Sequence, residues 1–186
     1  QYTSNWVGRA NIDGSNYIPS WISGCSNPYL MALDGTYIYW TNYGNGTIGR
    51  ANVDGSNVNQ SHMSSLNSPA GVSVRLVPTP VPEAGYIYWT NRGGMNTMGR
   101  ADRDGSNVNQ GFASGVIDSY GLDCIDTEIF WTSNTGSRVG RTDMLLSYFD
   151  TNFVTGCSSP IGVVADDNYI YWINSGSGYI GRIDMT

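Results

Sequence analysis

His62 is the single histidine among 186 residues. A histidine metal cluster is therefore impossible, and any Ser-His-Asp triad would have to run through this one side chain. We read it as a surface loop residue and the chain as no enzyme. Asp102, Asp104 and Ser106 alternate as Asp-x-Asp-Gly-Ser, like the opening of a calcium loop. The equivalent segments begin with Asn11 and Asn52, and no glutamate follows at the twelfth position, so turn chemistry accounts for the pattern. Neither metal nor cofactor is expected. The remaining chemistry is recognition, because exposed Trp and Tyr faces stack on flat ligands such as sugar rings.

Those aromatics are not scattered. An aromatic run occurs four times, as Tyr37-Ile38-Tyr39-Trp40, Tyr86-Ile87-Tyr88-Trp89, Glu128-Ile129-Phe130-Trp131 and Tyr169-Ile170-Tyr171-Trp172. A Gly-Arg pair after an aliphatic residue occurs five times, ending at Arg9, Arg50, Arg100, Arg141 and Arg182, with spacings of 41, 50, 41 and 41. The long spacing falls around Pro78, Pro80 and Pro82, a proline-stiffened insertion that cannot join a regular ladder. Asp13-Gly14, Asp54-Gly55 and Asp104-Gly105 are hairpin signals that need positive φ. No stretch holds a 3.6-residue period, so little helix is expected.

Each unit reads as an inner apolar strand, an aromatic strand, a Gly-Arg strand and a polar outer strand. Units of this size and strand number predict an all-β, small β-propeller of four-stranded blades in a single domain over residues 1–186. Four inner, four aromatic, five Gly-Arg and four outer strands are one more than four blades need. Four blades with terminal strand closure, the N-terminal strands completing the last blade, is the first expectation. Five blades, or a ring completed by oligomerisation, are the alternatives.

The segment from Tyr37 to Asn42, followed by Ile48 to Asn57, resembles the YWTD repeat of the low-density lipoprotein receptor propellers. The resemblance spans the chain. It implies a propeller found mostly outside the cell that binds other molecules, usually proteins. The family's aspartate position holds Asn42, Asn91, Ser133 and Asn174 here, and family propellers have six blades. Streptogramin lyases, which resemble this repeat class, have seven blades and rely on histidine.

Repetition also sorts the candidate sites. Trp40, Trp89, Trp131 and Trp172 recur in an interior strand and read as packing between blades. The motif arginines read as structural, their forks satisfying loop carbonyls or carboxylates. Trp6 and Trp21 fall outside the register and are freer to meet a ligand. The loops after the aromatic strands (residues 43–47, 92–97, 134–138 and 175–178) supply the other candidate ligand-binding residues, Tyr43, Asn45, Arg92, Asn96, Asn134 and Ser175. Cys25 and Cys157 hold the same place in their units, so ring closure could pair them in a disulfide, while Cys124 reads as a buried thiol.

A net charge of −6 and pI near 4.4, with nine Lys and Arg residues, leave no basic patch for nucleic acid or anionic lipid. No apolar window is long enough for a membrane span. The start at Gln1 without Met, and the sequons at Asn45 and Asn59, fit a secreted glycoprotein. The expected function is a non-catalytic, multivalent, lectin-like carbohydrate-binding protein. A protein-interaction module or scaffold is the alternative, and a propeller lyase or hydrolase a third. Expected partners are glycans or extracellular proteins, with homo-oligomers open.

Overall fold

The computed structural model describes residues 5–76 and 85–185. The prolines of the insertion lie outside the described residues. Among these, every regular element is a strand, and there are seventeen. β1 (Trp6–Arg9) and β2 (Ile18–Ser23) form a two-stranded sheet. Three four-stranded antiparallel sheets follow. The first holds β3 (Pro28–Leu33), β4 (Tyr37–Asn42), β5 (Thr47–Asn52) and β6 (Asn59–Met63). The second holds β7 (Pro69–Leu76), β8 (Gly85–Asn91), β9 (Thr97–Asp102) and β10 (Asn109–Ser114). The third holds β11 (Leu122–Ile125), β12 (Glu128–Ser133), β13 (Arg138–Asp143) and β14 (Phe149–Thr155). The last sheet has three strands, β15 (Pro160–Ala165), β16 (Tyr169–Asn174) and β17 (Tyr179–Asp184).

The inner strands β3, β7, β11 and β15 pack on one another in turn and together line a central cavity of about 490 Å³. Four sheets set round one axis make the chain a four-bladed β-propeller. The seventeenth strand is β17, which takes the third place of the fourth blade beside β16. The N-terminal strands do not complete that blade. β1 pairs with β2, and Val7, Ile22 and Cys25 pack against Ile38, Trp40 and Ala51 of the first blade. Both β1 and β17 carry the Gly-Arg motif, but β17 follows β16 through one short turn. Local closure costs less chain entropy than joining the two ends.

The motif residues explain the blades. Each tryptophan lies opposite the motif glycine of the next strand: Trp40 and Gly49, Trp89 and Gly99, Trp131 and Gly140, Trp172 and Gly181. The indole lies flat over that glycine, and an added Cβ at any of the four would overlap the ring. All four tryptophans are buried. The motif arginines are structural by a different route from the one expected. Arg50, Arg100 and Arg182 lie over Tyr37, Tyr86 and Tyr169 at 4.3, 4.7 and 4.4 Å, and Arg141 over Phe153 at 4.3 Å. Stacking, rather than a fork onto carbonyls, holds them. Where the YWTD-type repeat has an aspartate, Asn42, Asn91 and Asn174 place a neutral amide and Ser133 a hydroxyl. Asn91, for example, accepts from Trp89 Nε1 and donates to Thr97 Oγ1 and the Gln110 carbonyl.

Two ties join blades one and two. Asp34, in the turn after β3, accepts from the Thr36 and Tyr37 amides, the Tyr39 hydroxyl and Arg103 Nε, the last at 2.5 Å. Both side chains of this ion pair are buried. Burial pushes the Asp34 carboxyl up, but Arg103, the two amides and the Tyr39 hydroxyl outweigh it and hold it below the usual carboxylate range. The second tie corrects the reading of His62. It lies on the strand β6, half-buried, with Nε2 at 3.0 Å from the Arg103 carbonyl and its ring against Tyr39.

The three cysteines are free thiols, so the Cys25–Cys157 disulfide is absent. Cys25 is buried between the N-terminal sheet and blade one, whereas Cys157 packs with Val139 and Trp172 between blades three and four. The completion of blade four by the N-terminal strands, which would bring them together, is not made. Among the described residues, no helix is long and apolar enough to cross a membrane.

Candidate binding site at the mouth of the channel

In each unit the connection into the inner strand and the loop after the aromatic strand lie at the same end of the blade. The Gly44 amide bonds the Ser26 carbonyl, Arg92 bonds Ser68, Asn134 bonds Asp118 and Ser175 bonds Ser159. Side chains from these paired loops converge at one mouth of the channel.

Tyr29, at the start of β3, stands between Tyr43 of its own blade and Tyr120 of blade three. Ring centroids are 5.5 and 5.9 Å apart, tilted by 36° and 40°. Arg92 of blade two lays its guanidinium over Tyr120 at 3.6 Å, with the Tyr43 ring at 6.0 Å. Its Nε and Nη2 both reach Oδ1 of Asp118, at 3.0 Å. Asp118 is held in turn by Asn96, whose Oδ1 accepts from the Asp118 amide at 3.3 Å and whose carbonyl accepts from the Val116 amide. Beside the rings lies a cavity of about 220 Å³, lined by Pro28, Tyr29, Leu30, Tyr120 and Ile161. Four blades thus contribute to one patch. All of its rings are half-buried, and its single cation and single carboxylate cancel. Such a patch offers stacking faces, an apolar wall and hydroxyl, guanidinium and carboxylate atoms for hydrogen bonds.

Of the residues singled out in the sequence, Tyr43 and Arg92 come together here and Asn96 positions their neighbour. Asn134 borders the patch through its backbone bond to Asp118. Asn45 is exposed on the Tyr43 loop, with Oδ1 accepting from the Thr47 hydroxyl, and Ser175 donates to the Ser159 carbonyl. Trp6 is 46% exposed on β1, while Trp21 is half-buried beneath Arg9 and against Gly55. Neither lines the mouth. Sequence reasoning missed Tyr29, Asp118, Tyr120 and Ile161. The usable signal was a register comparison, since Tyr29, Ala70, Tyr120 and Ile161 hold one position in four units and share no chemistry.

The Asp-Gly turns bind their own chain. Asp104 Oδ1 accepts from the Ser106 amide and hydroxyl, as Asp13 and Asp54 do from Ser15 and Ser56. Among the described residues no three His, Cys, Asp or Glu side chains gather as a metal site. The sequon residues Asn45 and Asn59 are both exposed.

No protein-family model and no curated protein matches the chain. Solved structures do, and they are propellers by the same architecture. A chain of the nidogen/laminin complex is 19% identical with a TM-score of 0.74, over 96% of this chain and 67% of that one. Virginiamycin B lyase from Staphylococcus aureus is 16% identical with a TM-score of 0.70, over 98% and 60%. An auxiliary nutrient-binding protein from Bacteroides thetaiotaomicron is 16% identical with a TM-score of 0.66, over 88% and 39%. The chain therefore spans about two thirds or less of each of these proteins. At such identities the likeness establishes the fold, which in these proteins serves both binding and lyase chemistry.

Proposed function

We propose that this chain is a non-catalytic, secreted recognition propeller with one ligand site, at the mouth of its channel, and that the ligand is a carbohydrate. The convergence of Tyr29, Tyr43, Arg92 and Tyr120 from three blades onto a single neutral patch carries the reading. The rings give stacking faces, and the Arg92–Asp118 pair gives the planar donors and acceptors that sugar hydroxyls match. His62, the one histidine, is engaged between two blades rather than at this mouth.

A lectin with equal sites on every blade would need the patch to repeat. It does not, because the positions of Tyr43 and Tyr29 become Arg92 and Ala70, Asn134 and Tyr120, Ser175 and Ile161 in the following units. Multivalency would thus come from several copies, not from one ring. The YWTD-like repeats and the likeness to a chain of the nidogen/laminin complex favour a second reading, a protein partner on the same face.

Glycan-array binding of the purified chain, repeated with Tyr120→Ala, tests the first reading. Binding that disappears in the variant while circular dichroism stays unchanged supports it. A silent array, with retention of the chain on immobilised extracellular-matrix proteins, moves the assignment to the second.

A further inference from the structure

We infer that the mouth site selects a neutral hexose carrying a methyl group, a 6-deoxy or N-acetyl sugar, over the plain hexose. This inference rests on the carbohydrate reading of that site and adds which sugars it takes.

Three features carry it. The first is the division of the site into two halves of unlike chemistry. Arg92 and Asp118 stand outside the cavity lining, reached through the Tyr120 ring that Arg92 covers, with side chains 20% and 24% exposed. Both guanidinium contacts fall on Oδ1, so Oδ2 and the remaining Arg92 donor group have capacity for ring hydroxyls. The floor is different. Pro28, Leu30 and Ile161 contribute aliphatic walls between Tyr29 and Tyr120. A hydroxymethyl group packed against these three side chains would lose water and gain no partner from them, whereas a methyl group gains by leaving water.

The second feature is size. The cavity, at about 220 Å³, accommodates one sugar ring with its substituent and not a run of residues on an extended chain. The third is charge. Arg92 is already neutralised by Asp118, and the chain carries −6 overall. An acidic sugar would bring a second carboxylate to Asp118 with no free cation to meet it, so sialylated and sulfated glycans are disfavoured.

The wall is specific to blade four. Ile161 occupies the register position that is Tyr29 in blade one and Tyr120 in blade three. Tyrosines at that position make the stacking surface, and the isoleucine turns one side of it aliphatic. Ile161 is thus assigned as the residue that sets the preference, while Tyr120 sets binding itself.

The test is titration calorimetry of the full chain with D-glucose, 6-deoxy-D-glucose and N-acetyl-D-glucosamine, followed by the same series on Ile161→Ser and Tyr120→Ala. The 6-deoxy or the N-acetyl sugar should bind at least about fourfold more tightly than glucose, the factor for one buried methyl. Which of the two it is identifies the source of the methyl group. Ile161→Ser should erase the preference, bringing the three sugars to within about twofold of one another, and Tyr120→Ala should abolish binding of all three. Equal binding of the three sugars by the unaltered chain would overturn the methyl selectivity and leave the carbohydrate reading standing. Binding of none of them, with a silent glycan array, would overturn both. A preference that survives Ile161→Ser would remove Ile161 from its assigned role.

Discussion

The layer between aromatic and Gly-Arg strands and the mouth of the channel are built from the same repeat, yet they treat sequence differently. In the layer, four tryptophans meet four glycines in one register, and the contact is identical each time. At the mouth, one register position holds Tyr29, Ala70, Tyr120 and Ile161. The layer admits no variation because a Cβ has nowhere to go. The mouth admits it where the side chain keeps one side open to solvent, as Tyr29, Tyr120 and Ile161 do, so packing alone does not dictate the residue; Ala70 of blade two is buried. Repetition therefore marks scaffold in this chain, and departure from repetition marks the candidate site.

Breaking the layer should have the largest effect. Gly99→Val forces a branched side chain into the Trp89 indole across two central strands. We expect a loss of about 4 kcal/mol or more, seen as absent or uncooperative thermal unfolding. A well-folded Gly99→Val variant would show that the indole can move aside, and the contrast with the mouth would fail.

The next test compares two aspartates with the same local bonds. Asp34 accepts from Thr36, Tyr37 and Tyr39, and Asp166 accepts from Asn168, Tyr169 and Tyr171. Only Asp34 also holds a buried arginine. Asp34→Ala leaves Arg103 uncompensated and should cost about 3–5 kcal/mol in urea unfolding. Asp166→Ala, at a solvent-exposed site, should leave the midpoint unchanged within error.

The same pair sets a pH dependence. The folded-state pKa of Asp34 is depressed, so its contribution is complete above the unfolded value of about 3.9 and is lost as pH falls through the folded value. Burial pushes Asp123 the other way, so that carboxyl contributes the opposite slope above the unfolded value. Subtracting the profile of Asp34→Asn from that of the unaltered chain isolates the first effect. The difference should shrink as pH drops below about 4. A difference that grows toward low pH would show that Arg103 does not depend on an ionised partner.

Much of the fold was legible because it is local. Motif counts predict all seventeen strands, and Gly14, Gly55 and Gly105 do take positive φ at the Asp-Gly turns. The partner of β16 was not legible, since Val7-Gly8-Arg9 and Ile180-Gly181-Arg182 carry one motif and only chain connectivity separates them. The site was half legible. Tyr43 and Arg92 stand out in variable loops, but Tyr29 at the start of β3 and Tyr120 just before β11 join them only when three blades face one axis. His62 was misplaced because its polar neighbours resemble a loop, whereas alternate burial along Asn59–Met63 is that of an outer strand.

Tyr120→Ala is the change for which we expect a small loss of stability and the clearest loss of binding. Tyr120 is half-buried, its ring covered on one side by Arg92 and on another by Tyr29. Removing it deletes one aromatic contact and one cation–π contact, but Arg92 keeps Asp118, so no charge is stranded. The cost should stay under about 2 kcal/mol, well below that of Gly99→Val. A melting temperature lowered as far as by the glycine variant would mean that the aromatic cluster holds the blades together. The mouth would then be scaffold like the layer. An intact fold that no longer binds would leave the ring with one role, contact with the ligand.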